Sequence, residues 1–78
     1  MQRTKEIERD CKQWINTAGR VLEEHAADVV KSSSSWGQCW FAAMERAWCL
    51  IDELEDLGCS TLHLEARFAK VVEKRDSL

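Results

Sequence analysis

Hydrophobic positions recur along this chain in three blocks. In the first, from about Thr4 to Lys31, apolar residues fall at Ile7, Cys11, Trp14, Ile15, Ala18, Val21, Leu22, Ala26 and Val29. Steps of three and four residues are the period of an α-helix and not of a strand. On a wheel of about 100° per residue these positions fill an arc of roughly 140°, so the pattern predicts one amphipathic helix of about seven turns. His25 falls at the centre of that stripe, as a packed ring or a pH-sensitive seam residue.

Four serines, Ser32 to Ser35, then break the pattern. Serine hydroxyls compete for backbone groups and so favour turns and caps. Ser35-Trp36-Gly37-Gln38 matches an S-x-x-Q capping box, which starts a second helix at about Trp36. That helix runs to about Leu57, and Gly58 suits the left-handed residue that ends it. Trp36, Trp40, Met44, Ala47, Ile51 and Leu54 form its central stripe. Cys39, Ala43, Leu50 and Leu57 widen the stripe on one side, Phe41 and Trp48 on the other. The apolar arc reaches roughly 200°, about twice that of an ordinary surface helix. One neighbouring helix cannot cover it; two neighbours or a partner chain can.

The third block, Ser60 to about Asp76, carries two periods. Leu62, Leu64, Ala66 and Phe68 alternate like a strand, whereas Leu64, Phe68, Val71 and Val72 have helix spacing. Helix is the better reading, because Ala, Glu, Arg and Lys dominate and no other block offers a strand to pair with. Ser60 or Thr61 would cap it.

Composition sharpens this picture. Seventy-eight residues make a single domain, 1–78, near the lower size limit for an unaided core. The absence of Pro again favours helix. The expected fold is therefore all-α: a small bundle with a long first helix, an antiparallel second and a shorter third. The wide apolar arc of the second helix points to a homodimer with two-fold symmetry. Trp36, Trp40 and Met44 are the candidates for its seam.

A net charge of −3 argues against general affinity for nucleic acid or anionic membrane. No apolar run approaches the roughly 18–20 residues of a membrane span. The first residues, MQRTKEIERDCKQW, are charged throughout and lack a signal-peptide segment, so the expected location is the cytoplasm, with reduced cysteines.

Candidate chemistry is sparse. Cys11, Cys39, Cys49, Cys59, His25 and His63 are possible zinc ligands, but only Cys59 and His63 are close in sequence, and paired spacings are absent. Cys59 and His63 also lack an orienting third group for thiol catalysis. The chain is thus read as a non-enzyme without metal or cofactor. Two surface features remain. The acidic run Asp52, Glu53, Glu55 and Asp56 sits in the last turns of the second helix, where the helix dipole disfavours anions. Local stability does not explain it, whereas docking onto a basic protein surface does. Phe41 and Trp48, seven residues apart, lie along one helix edge with Glu45 and Asp52 beside them, and aromatic anchors rimmed by charge resemble binding hot spots.

No motif is specific enough to name a family. The expected function is a small protein-binding module that modulates or inhibits a larger protein, through Phe41, Glu45, Trp48, Asp52, Glu53 and Asp56. In size and charge alone the chain is like phage-encoded inhibitors, anti-CRISPR proteins among them. The alternatives are a self-assembling helical protein and a small DNA-binding regulator, the last resting on Arg67, Lys70, Lys74 and Arg75.

Overall fold

The computed structural model describes residues 2–31 and 33–78 of the chain. Ser32, the first serine of the expected break, lies outside the described residues. All regular structure among the described residues is helical: α1 (Gln2–Glu24), α2 (Ala26–Val29), α3 (Ser35–Asp56) and α4 (Leu62–Asp76).

The first block is two helices rather than one, which corrects the single helix expected to Lys31. His25 leaves helical geometry at φ −133°, ψ 38°, and α2 adds one further turn. The bend places Val29 fully inside the core with Ala18, Val21, Leu22, Trp40 and Met44. It also lays the His25 ring flat on Trp36, with centroids 3.7 Å apart and planes 7° apart. His25 is therefore a half-buried residue at a bend, not the centre of a straight stripe. A second expectation also changes: Trp14 is 39% exposed, because the seam of α1 runs through Ile7, Cys11, Ile15, Ala18 and Leu22, and Trp14 sits at its edge.

The start of α3 shifts by one residue from the sequence expectation. Ser34 is the N-cap, and its hydroxyl accepts from Gly37 N at 3.0 Å. Gln38 Nε2 reaches the Ser33 carbonyl at 3.4 Å. A side chain at Gly37 would collide with the Lys31 carbonyl oxygen, so only glycine fits beneath this turn. At the other end Cys59 N donates to Leu54 O (3.0 Å) and Gly58 N to Glu55 O (2.9 Å), with Gly58 at φ 81°. This pair of bonds around a left-handed glycine is the Schellman C-cap.

The block with two periods is helix. Leu64 is fully buried, Phe68, Val71 and Val72 face inward, and Leu62 is left 75% exposed. Burial thus follows the helical spacing and ignores the alternation. Thr61 is the N-cap residue, but its hydroxyl makes no capping bond; it lies 3.1 Å from Glu55 Oε1 and 3.4 Å from Glu65 Oε2.

Direction follows from the contacts. Arg3 faces Glu53 at 3.5 Å, Cys11 Sγ donates to Ala47 O at 3.4 Å, and Val21 and Leu22 pack with Trp40 and Ala43. Hence α3 runs antiparallel to α1. α4 turns back again, with His63 Nε2 3.1 Å from Glu8 Oε1 at one end and Lys74 Nζ 3.0 Å from Glu23 Oε1 at the other. Two core clusters result. One joins Ile7, Cys11 and Ile15 to Ala47, Leu50, Ile51, Leu54 and Leu64. The second joins Ala18, Val21, Leu22 and Val29 to Trp40, Ala43 and Met44, and Phe68 and Val71 pack against both.

The bundle measures 40 × 20 × 16 Å. Its accessible surface is 5325 Å², against about 4,900 Å² expected for a folded monomer of this mass. The excess fits an elongated shape with one face left open.

Candidate functional site

The open face lies between α3 and α4, on the side away from α1. On α3, positions 41, 48, 52 and 55 fall within about 40° of one line along the helix. On α4, positions 65, 72 and 76 do the same. Between these two lines runs a groove of about 620 Å³. Trp40 and Met44 form its floor, Phe41, Glu45, Trp48 and Cys49 its α3 wall, and Phe68, Val72, Arg75 and Asp76 its α4 wall.

Ring packing sets the shape of the groove. Trp48 meets Phe68 at 5.2 Å between centroids, tilted by 51°. Trp40 meets Phe41 edge to face at 5.0 Å. The Arg75 guanidinium lies 4.9 Å from the Trp40 ring and 4.8 Å from the Phe41 ring, a cation–π clasp across the two helices. These groups are too large to let α4 settle onto α3 along its length. Phe41 and Trp48 consequently remain 44% exposed, whereas Trp40 is 4% exposed. Trp40 Nε1 and Arg75 Nε are buried without a hydrogen-bond partner among the described residues. Each such group costs about 1–3 kcal/mol, so this region gives up stability that the α1–α3 side keeps.

The structure sorts the residues singled out from the sequence. Phe41, Glu45 and Trp48 come together in the groove wall. Asp52 and Asp56 are exposed on the same side of α3, beyond the rings. Glu53 is not with them: it faces Arg3 across the α1–α3 side, beside Arg46. The three seam candidates also separate. Trp40 and Met44 are buried in the core beneath the groove, while Trp36 is 40% exposed and stacks on His25. Cys39 and Leu57, expected to widen the apolar stripe, are exposed, because they lie outside the face through Ala43, Ala47, Leu50 and Leu54 that packs with α1.

Phe68, Val72, Arg75 and Asp76 were missed in the sequence reading. Their spacing on α4 would have placed them on one face had the helix been assigned outright. Which face of α4 turns to α3 is not contained in that spacing.

Charge is segregated around the groove. Glu45 lines its α3 side and Asp76 its α4 side, Asp52 is exposed further along the same side of α3, and Arg75 lies over the rings. The remaining cations of α4, Arg67, Lys70 and Lys74, fall on the far side toward α1, where Lys74 pairs with Glu23. Arg46, the cation of α3, lies with Arg3 and Glu53 on the α1 side.

Elsewhere the chemistry is structural. Glu8 is held below its usual carboxylate range by hydrogen bonds from Lys12 and then His63. Cys11 is pushed up to about 11 by burial and then by Glu8. His63 engages Glu8, while Cys59 packs against the core. Among the described residues no group of three or more His, Cys, Asp or Glu could hold a metal ion. Nor, among the described residues, is any helix long and apolar enough to cross a membrane. No protein-family model, no curated protein and no solved structure matches the chain.

Proposed function

We propose that this chain is a small protein-binding module that docks a larger protein in the α3–α4 groove and modulates it by covering part of its surface. The observation that carries this reading is the aromatic groove left open by the chain's own helices, with Phe41, Trp48 and Phe68 presenting ring surface around a buried Trp40. Aromatic residues and Arg are the side chains on which binding energy concentrates. The groove is a trough rather than an enclosed cavity, which suits a macromolecular surface better than a small substrate. Occlusion of a target is also how a small acidic inhibitor of the phage-encoded kind would act.

The test is affinity capture from native lysate with the wild type and a Phe41→Ala, Trp48→Ala variant whose helix content is checked by circular dichroism. The folded variant is expected to lose the partners that the wild type retains. Recovery of the same partners by both proteins overturns the reading.

Self-association is the second reading, favoured by the amount of ring surface that a chain of 78 residues leaves uncovered. A homodimer closed through the groove would bury Phe41 and Trp48 against their copies. Sedimentation equilibrium distinguishes the two: a dimer that Trp48→Ala dissolves supports it, and a monomer at all concentrations removes it.

A further inference from the structure

We infer that the occupant of the α3–α4 groove is a cationic amphipathic helix of another protein, seated as the missing fourth helix of a bundle. This inference rests on the protein-binding reading above and adds the chemistry of the partner.

Two observations converge on it. The first is shape. α3 and α4 are two walls of a bundle with no third helix on this side, and the floor between them is apolar. From Phe68 to Asp76 the α4 wall runs for about 12 Å, and from Trp40 to Cys49 the α3 wall runs for about 14 Å, enough for two or more helical turns. No strand is present among the described residues, so an extended peptide would find no sheet edge to pair with. A helix brings its own backbone hydrogen bonds and needs only side-chain contacts.

The second observation is charge. The charged lining is Glu45 on the α3 wall and Asp76 with Arg75 on the α4 wall; Arg75 is engaged by the Trp40 and Phe41 rings, and Asp52 is exposed on the same side of α3, so carboxylate is the free charge at either edge. A helix lying between them with apolar residues at i, i+3, i+4 and i+7 projects its flanking positions to these two rims. Lys or Arg there meets carboxylate on both sides, whereas Asp or Glu meets like charge. A second copy of the chain fits poorly by the same rule, because a two-fold contact through this face sets acidic rims against each other.

The test uses two synthetic peptides of about 18 residues with identical Leu positions at helical spacing, one with Lys and one with Glu on the flanks. Binding to the full chain is followed by tryptophan fluorescence, and the site is mapped by amide chemical shifts. The Lys peptide is expected to bind at least about tenfold more tightly than the Glu peptide and to weaken as salt is raised. Its shifts should fall on residues 40–52 and 68–76. Glu45→Gln, Asp52→Asn and Asp76→Asn together change only exposed side chains, and should remove most of that preference with the fold intact. Phe41→Ala with Trp48→Ala should abolish binding of both peptides.

Equal affinity of the two peptides for the groove overturns the cationic assignment and leaves the protein-binding reading standing. Lys-peptide binding that survives the Phe41, Trp48 variant shows diffuse attraction to an acidic surface, and also overturns it. So does a homodimer dissolved by Trp48→Ala, which makes a second copy the occupant. If neither peptide binds while the capture experiment still loses its partners in the groove variant, this inference falls alone. If capture is unchanged in that variant, both fall.

Discussion

The two flanks of α3 are built from similarly apolar residues and end up as different things. Toward α1 the helix presents Ala43 and Ala47, and it meets Ala18 and Cys11. Small side chains let the backbones approach so closely that the Cys11 thiol donates to the Ala47 carbonyl. Toward α4 the helix presents Trp40, Phe41 and Trp48, and it meets Phe68 and the Arg75 guanidinium. There the helices stand apart and ring surface stays in solvent. Side-chain size, more than hydropathy, therefore decides which flank becomes core and which becomes groove, since interiors tolerate few voids.

The strongest way to break this contrast is to truncate one large residue on each flank. Ile51 is fully buried, and Ile51→Ala should cost about 4 kcal/mol, near the upper part of the range for cavity-forming changes. Trp48→Ala removes a larger side chain yet should cost only about 1–2 kcal/mol, because much of the ring is already in water. Urea denaturation measures both. If Trp48→Ala proves as costly as Ile51→Ala, the groove is core and the contrast fails.

Enlarging a side chain probes the same difference from the other direction. Ala47→Leu forces α1 away from α3 and should cost about 2 kcal/mol by overpacking. Cys49→Leu, on the exposed side of the same helix, should change the unfolding free energy by no more than about 0.5 kcal/mol. A tolerated Ala47→Leu would show that the α1–α3 contact is looser than the Cys11–Ala47 bond implies.

The smallest effect is in pH dependence. The Cys11 thiol is raised from 9.0 to about 11 in the folded chain by burial and then by Glu8. Below the unfolded value both states keep the proton and stability is unaffected. Between the two values the unfolded thiol ionises and the folded one does not, so stability falls as pH rises, by about 1.4 kcal/mol per pH unit. Cys11→Ala should flatten that slope in urea midpoints measured from pH 8.5 to 10.5, quantities of about the thiol range. An unchanged slope would mean that the closed flank admits water to Cys11.

Much of the fold was legible in the chain. Helical spacing found the buried Ile7, Cys11, Ile15, Ala18 and Leu22 and the buried Trp40, Met44, Ala47, Ile51 and Leu54, since burial in a helix repeats every three to four residues, but it also put Trp14 and Trp36 in these stripes, and both are exposed. Gly58 announced its C-cap, because the left-handed region admits few other residues. The bend at His25 was not legible. Nothing local breaks the helix there; Val29 entering the core and Trp36 stacking on the ring do so from a distance. The wall of the groove contributed by α4 was hidden for a related reason, as Phe68, Val72, Arg75 and Asp76 become one surface only once α4 lies beside α3.

The sequence by itself determined that this protein is helical, where α3 ends, and most of the stripe that each helix buries. Those are properties of spacing and capping, which act over a few residues. Only the tertiary structure decided that Glu53 turns to Arg3 while Glu45 stays with Phe41 and Trp48, and that Glu55 and Glu65 share the Thr61 hydroxyl. It also decided that the widest apolar arc is covered on one flank and open on the other. These outcomes depend on how closely helices approach, which is set by the volumes of side chains meeting from distant parts of the chain.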